Sequence, residues 1–370
     1  MKLKDFAITN FAYGNGPYLR TTELALSFND RLEEAGEKRF GIIVPLVYGD
    51  KQKRIMSEDF GTRMDEIVLD PELGAILKGV FYDGGSYLES LGGWVDNFEK
   101  TSESIHRYLK NKYGDSIVVE LNRSPRVRYD IAPSYFTSFG FIGEILERIG
   151  EIKGLAIPEG LLNAGIKTAG LAESGHRIHC LAYPATFAHL KDRSPRCKTE
   201  VEVPPIMLPP AVNNDNVERG IYITVSGIAG LGDLYANAGK FGAKIYTNNP
   251  DLIPGSIKAS PRIIPNKNIL FQFARSGWGS VWLSMISGTP LVVPAFDLND
   301  DPEIYFNNKT IEQLGIGIIY RGQPIEEILE GCAEVKKNSV KVCEEVKKRW
   351  GTLDGNRYCA GLFVKDLLGK

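Results

Sequence analysis

Apolar positions in this chain follow two alternating patterns. Mostly apolar runs of strand length occupy 40–47, 220–225, 269–274 and 291–294, and a short strand pattern occupies 5–10. Between them, apolar residues return every third or fourth position, as at Leu24, Ala25, Phe28, Leu32 and Ala35, or at Val281, Trp282, Met285 and Ile286. A run apolar throughout suits a strand covered on both faces, and the longer spacing suits a helix with one buried stripe. Their alternation predicts an α/β protein built on parallel sheets.

Taken in order, the pattern predicts a strand at 5–10, a turn-rich loop at 11–17 and a helix capped by Thr21 or Thr22 and ended by Gly36. A strand follows at 40–47, then a short strand at 66–69, a helix at 97–113 and a strand at 116–121 carrying Glu120. A helix within 134–150 (Phe139, Ile142, Ile145, Leu146, Ile149) and a strand at 177–183 complete this half. The second half reads as a strand at 220–225, a glycine loop at 226–232 and a helix to about 240. Strands at 243–246 and 269–274 lead to a turn at 275–277 and a helix stopped by Gly288 and Pro290. A strand at 291–294, a polar loop at 297–302, a helix at 303–313, a strand at 315–320 and a long charged helix at 325–349 end the pattern.

At 370 residues the chain exceeds the ~250–300 at which a single core stops growing, so two domains are expected. The break falls where prolines 204, 205, 209 and 210 meet Asn213-Asn214-Asp215-Asn216, a stretch too stiff and polar to bury a core. The expected division is 1–207 for the first domain, 208–219 for the linker, 220–350 for the second domain and 351–370 for a tail returning to the first. A formal net charge of −2 offers no footprint for nucleic acid. No apolar run is long enough to cross a membrane and the N-terminus does not lead into a signal-peptide core, so a cytoplasmic protein is expected. Cys180, Cys197, Cys332, Cys343 and Cys359 are scattered without metal-type spacing and read as reduced thiols. His176 and His179 lack further ligands nearby, so no metal is expected.

Candidate chemistry concentrates at Arg275-Ser276-Gly277-Trp278-Gly279-Ser280, a strand-to-helix turn. Helix N-termini carry unpaired N–H groups and partial positive charge, which suit an anion. Gly277 and Gly279 allow close approach to the backbone, Ser276 and Ser280 can donate to phosphate oxygens, and Arg275 adds a full charge. The glycine loop at 226–232 invites a dinucleotide reading. The strand after it ends in Thr247-Asn248-Asn249, with no acid for a ribose hydroxyl, and Gly14-x-Gly16 lacks a third glycine.

Residues 271–320 resemble the donor-binding segment of GT-B glycosyltransferases, both the plant UDP-glycosyltransferases and the bacterial transferase that forms lipid II. The likeness rests on Phe273-x-x-x-Gly277-Trp278-x-Ser280, Ser287-Gly288-Thr289-Pro290-Leu291-Val292-Val293-Pro294, Glu303-Ile304-Tyr305-Phe306-Asn307-Asn308 and Leu314-Gly315-Ile316-Gly317. The departures are Arg275 in place of the plant signature's His, Gly279 in place of Asn, Leu283 in place of the ribose-binding Glu, and Glu303-Ile304 in place of an acid–amide pair.

The resemblance implies two Rossmann-like domains facing a cleft, and metal-independent, inverting sugar transfer from a nucleoside diphosphate sugar, with UDP expected, to an acceptor hydroxyl. The nucleotide sugar would be a co-substrate, with no other cofactor. Gly227, Arg275, Ser276, Gly277 and Ser280 would hold the donor phosphates, Glu303 and Asn307 the donor sugar, and Gly14, Asn15 and Gly16 would line the cleft. The first loop has no His to serve as base, so Glu120 is the expected catalytic base, with Asp83 and Asp130 behind it. The acceptor would be a glycan, a lipid-linked molecule or a small molecule. Arg123, Arg126 and Arg128 offer an anionic acceptor or acidic headgroups a peripheral contact. An epimerase or hydrolase on the same fold, and a catalytically silent binding protein, stay open as alternatives.

Overall fold

The computed structural model describes residues 5–10, 15–78, 80, 86–224 and 242–369, excepting the side chains of 15–17. It divides into two compact units. The first comprises Met1–Tyr183, Ser194–Met207 and Asp354–Lys370, and the second Pro184–Arg193 and Leu208–Leu353. Residues 184–193 therefore group with the second unit, inside the span expected to be wholly first-domain.

The first unit is a seven-stranded parallel sheet of strands β1 (Phe6–Thr9), β2 (Gly41–Pro45), β3 (Ile67–Asp70), β4 (Ile117–Arg123), β5 (Ser134–Ser138), β6 (Ile178–Ala182) and β7 (Glu200–Val203). Their order, β3-β2-β1-β4-β5-β6-β7, reverses direction between β1 and β4. Ile42, Ile43 and Val44 on β2 are fully buried, as the unbroken apolar run requires. Helix α1 (Asn15–Glu34) buries Leu24, Ala25, Phe28 and Leu32. It starts earlier than the sequence suggests, because Pro17 falls in the first turn, where its missing N–H costs nothing. Thr22 is thus inside the helix, donating to the Tyr18 carbonyl at 2.8 Å rather than capping it. Asn15 and Gly16 lie in the first turn of α1, and Gly14 lies outside the described residues.

Helices α2 (Gly49–Phe60), α3 (Pro71–Lys78) and α6 (Glu159–Glu173) are additions to the sequence pattern. Helix α4 (Tyr87–Tyr113) begins ten residues before the expected 97, at a capping box formed by Ser86 and Glu89. The stretch 134–150 divides into β5 and the short helix α5 (Ile142–Glu147), because Tyr135 and Phe136 are buried on opposite faces of the sheet.

In the second unit six parallel strands, β8 (Gly220–Ile223), β9 (Lys244–Thr247), β10 (Ile257–Lys258), β11 (Ile269–Phe273), β12 (Leu291–Pro294) and β13 (Ile318–Tyr320), take the order β10-β9-β8-β11-β12-β13. This is the doubly wound order, with its reversal between β8 and β11. Helices α7 (Trp278–Ser287), α8 (Pro302–Leu314) and α9 (Ile325–Trp350) pack on it. Ile221, Ile223, Phe271, Phe273 and Val292 from the strands meet Ile325 and Ile328 of α9 in one core cluster. The segment before β8 is tied down by the buried Asn266 amide, which donates to the Asn213 and Asp215 carbonyls at 3.2 and 2.9 Å.

The C-terminal helix α10 (Gly355–Leu367) belongs to the first unit and lies along α1. Cys359, Ala360 and Phe363 are fully buried, and Phe363 stacks on Tyr135 with centroids 4.6 Å apart. Gly355 starts the helix where its N–H donates to the Pro205 carbonyl at 3.0 Å, and a Cβ would fall 2.4 Å from that oxygen. Phe363→Ala should lower unfolding free energy by about 3–5 kcal/mol in denaturant titration. A loss below about 1 kcal/mol would show that α10 is not part of this core.

Candidate functional site

Strand β11 delivers the chain to the carboxyl end of the second sheet at its point of reversal, where ligands of doubly wound folds bind. Ala274 is held there by its N–H to the Val292 carbonyl at 3.0 Å, and α7 begins four residues later. Gly277 is the N-cap residue, with φ −64° and ψ 134°, and no side chain caps the helix. Its carbonyl accepts from the N–H groups of Ser280 and Val281 at 2.9 and 3.2 Å. The backbone N–H groups of Trp278 and Gly279 have no partner among the described residues and carry the positive end of the helix dipole.

Neither glycine of the turn is required by its own backbone or by packing against the described residues. Gly277 has an ordinary negative φ, and a Cβ on Gly277 or Gly279 would meet no described atom within 4 Å. The contrast is Gly317, where a Cβ would fall 2.7 Å from Ile311. Gly277 and Gly279 are half-buried, and Trp278 between them is 1% exposed. Ser280 follows, half-buried.

Beneath this surface the turn is fixed by one buried amide. Asn307, on α8, is fully buried and donates through Nδ2 to the Ser276 carbonyl at 2.9 Å and to Glu303 Oε1 at 2.8 Å. Its Oδ1 accepts from the Trp278 indole at 2.7 Å, and the same indole N–H reaches Thr186 Oγ1 at 3.1 Å. Trp282 donates to the Pro184 carbonyl at 2.8 Å, and Thr310 to the Thr186 carbonyl at 2.7 Å. Segment 184–193 is thereby clamped against α7 and α8.

This geometry changes the roles of two expected ligand contacts. The Ser276 side chain is fully buried and its hydroxyl faces the Ile304 carbonyl at 3.5 Å, so it is not presented to a phosphate. Asn307 has no exposed surface and spends both N–H groups and its carbonyl internally, which makes it a brace for the turn and for Glu303. Glu303 stays half-buried in the first turn of α8, behind the capping carboxylate of Asp301. Arg275 is one-third exposed, at 32%, and forms an ion pair with Asp300, whose side chain is 24% exposed. The Arg275 Nε is buried without an acceptor. Burial pushes the Asp300 carboxyl up despite the opposing pull of Arg275.

The remaining expected residues do not join this cluster. Glu120 lies in the first unit, pairing with Ser134 at the amino-terminal start of β5, whereas ligands approach such sheets at the carboxyl ends. It is 3% exposed, and its Oε1 accepts from the N–H groups of Ile131 and Ala132 at 2.6 and 3.1 Å. That placement suits anchoring the 124–133 loop and leaves no path for an acceptor hydroxyl. Asp130 is exposed at the same end and paired with Arg128. Asp83 and Gly227 lie outside the described residues. The basic cluster is dispersed: Arg123 is buried and donates to the Ile206 carbonyl at 2.9 Å, Arg128 is paired, and Arg126 lies over the Trp94 ring. His176 and His179 bond to Ser134 and Thr199 hydroxyls at 2.7 and 2.8 Å, and no cluster able to hold a metal occurs among the described residues. No helix among them is long and apolar enough to cross a membrane.

Two substitutions test these assignments. Burial raises the Glu120 pKa from 4.5 to about 7, outweighing the two backbone hydrogen bonds. The folded chain thus holds that proton more tightly, a contribution complete below 4.5 and lost as pH rises through about 7. Glu120→Gln should match the wild type near pH 5 and exceed its stability near pH 8 by about 1–3 kcal/mol. A gap independent of pH would contradict a buried, proton-binding Glu120. Asn307→Ala should destabilise the fold by about 2–4 kcal/mol, since it strands the Ser276 carbonyl and Glu303. A loss under about 0.5 kcal/mol in thermal or denaturant unfolding would contradict the bracing role.

Comparisons with known proteins place the fold. No protein-family model matches the chain, and a search of curated proteins returns no match. Solved structures align along its whole length. A UDP-glucosyltransferase from Polygonum tinctorium capable of glucosylating indoxyl is 12% identical, with 100% of this chain and 99% of that one covered and a TM-score of 0.63. Phytolacca americana UGT2, solved with UDP-2-fluoro-glucose and pterostilbene, is 9% identical over 98% and 99% of the chains, with a TM-score of 0.61. The glycosyltransferase SnogD from Streptomyces nogalater is 13% identical over 99% and 100%, with a TM-score of 0.58. Together with the two parallel, doubly wound sheets, these alignments establish that the chain has the two-domain, Rossmann-like GT-B fold.

Proposed function

We propose that the chain is a glycosyltransferase that moves a sugar from a nucleoside diphosphate sugar, with UDP the expected carrier, to an acceptor hydroxyl. The observation that carries this reading is the uncapped helix N-terminus at Gly277–Gly279, where the Trp278 and Gly279 N–H groups have no partner among the described residues and a Cβ on either glycine would meet no described atom within 4 Å. The Phytolacca protein of the same fold holds UDP-2-fluoro-glucose, which supports a nucleotide sugar as the ligand.

The donor diphosphate lies over the N–H groups of Trp278 and Gly279, with the Ser280 hydroxyl and the Arg275 guanidinium adding to its hold. Glu303, kept in place by Asn307, accepts hydrogen bonds from hydroxyls of the donor sugar. The acceptor oxygen attacks the anomeric carbon, the bond to the diphosphate oxygen breaks, and the acceptor proton passes to a base. A single displacement of this kind inverts the anomeric centre. Charge growing on the leaving diphosphate is met by the helix dipole and by Arg275, so the reaction proceeds without a metal or any cofactor beyond the nucleotide sugar.

Gly279→Ala separates a ligand site from a merely structural turn. Alanine meets no described atom there and suits a helix better, so thermal stability should hold or rise by about 0.5–1 kcal/mol. The dissociation constant for UDP, read by calorimetry, should rise about tenfold or more. Undiminished UDP binding by this variant would remove the reading's main support. Sugar transfer to a phenolic acceptor panel should persist in excess EDTA, and its abolition would contradict the metal-free mechanism.

A further inference from the structure

The anion site described above already has an anionic occupant from the chain itself. Arg275 is the only full positive charge among 275–280, and its guanidinium is held by the Asp300 carboxylate. The hold is incomplete, because Nε stays buried without an acceptor while one terminal nitrogen carries the contact. A guanidinium presents its donors as a fork that a phosphate satisfies through two oxygens at once.

Asp300 has no strong structural tie of its own. It lies in the polar stretch before α8, where capping is done by Asp301 and the local turn by Asp297, which accepts from the Asn299 N–H at 2.8 Å. Only the Asp300 backbone joins that turn, donating to the Asp297 carbonyl at 2.9 Å. Its side chain is drawn to Arg275 and away from water.

From this geometry we infer that Asp300 is a built-in competitor of the donor diphosphate, occupying Arg275 in the empty site and leaving it when the diphosphate arrives. The inference rests on the donor-site reading and adds to it a means of setting affinity. Donor binding must displace a carboxylate, so free nucleotide is held more weakly than the site's positive charge alone would allow, which favours release of the diphosphate product. Arg275 then has two partners in turn rather than one permanent ion pair.

The test is a double-mutant cycle with inorganic pyrophosphate and UDP as probes, binding being read by calorimetry on the full chain. Asp300→Asn keeps the side-chain shape and should lower both dissociation constants about fivefold or more. Asp300→Ser, which removes the carboxylate differently, should do the same. In an Arg275→Ala background the gain should vanish. If Asp300→Asn and Asp300→Ser leave affinity unchanged or weaken it, or if the gain survives without Arg275, competition for the guanidinium is refuted. The donor-site reading would still stand in that case if Arg275→Ala alone weakens pyrophosphate binding. Absence of pyrophosphate and UDP binding in the wild type and both Asp300 variants would overturn the site reading together with the inference.

Discussion

The second unit turns on one hydrogen-bonded side chain, the Asn307 amide. It joins Ser276 in the strand-to-helix turn, the first residue of the helix and the acid at the head of the next helix through three contacts of 2.7 to 2.9 Å. Buried amides are costly unless every polar atom is matched, so the arrangement admits little variation. Asn307 thus takes the Ser276 carbonyl and the Trp278 indole as partners, while the backbone N–H groups of Trp278 and Gly279 have none among the described residues.

The charge above that turn is balanced rather than simply positive. Asp297, Asp300 and Asp301 flank the only arginine of the turn. An anion entering here gains the helix dipole and the guanidinium but meets an established ion pair. In this chain Arg275 stands where the plant glycosyltransferase signature places a histidine. The permanently charged side chain comes with a carboxylate partner, which a neutral imidazole would not need.

Much of this was legible from the sequence. Covered parallel strands give mostly apolar runs, so β2, β8, β11 and β12 were readable, as was the stop at Gly288, which takes φ +69°. Helices α2 and α3 were not, because α2 is mostly polar and buries little beyond Gln52 and Met56, while α3 is short. The strand-to-helix turn at Arg275–Gly277 was legible from residue type and spacing. The roles of Ser276 and Asn307 were not, since a polar residue that braces a ligand and one that binds it look alike in sequence. Thr186 and Pro184 left no periodic signal, because their contribution depends on a long-range packing partner. Glu120 was misjudged for a related reason: a strand acid can be placed near one end or the other only once its pairing register is known.

The most direct measurement of the central claim uses the chain's four tryptophans. Selective ¹⁵N-tryptophan labelling followed by titration with UDP reports separately on the Trp278 backbone N–H, which has no partner among the described residues, and on its indole N–H, which is held by Asn307 and Thr186. The account expects the Trp278 backbone resonance to move strongly and saturably as a phosphate oxygen accepts from it, with the indole resonance little changed. A backbone resonance that stays still while UDP binds would contradict the placement of the diphosphate at this helix N-terminus.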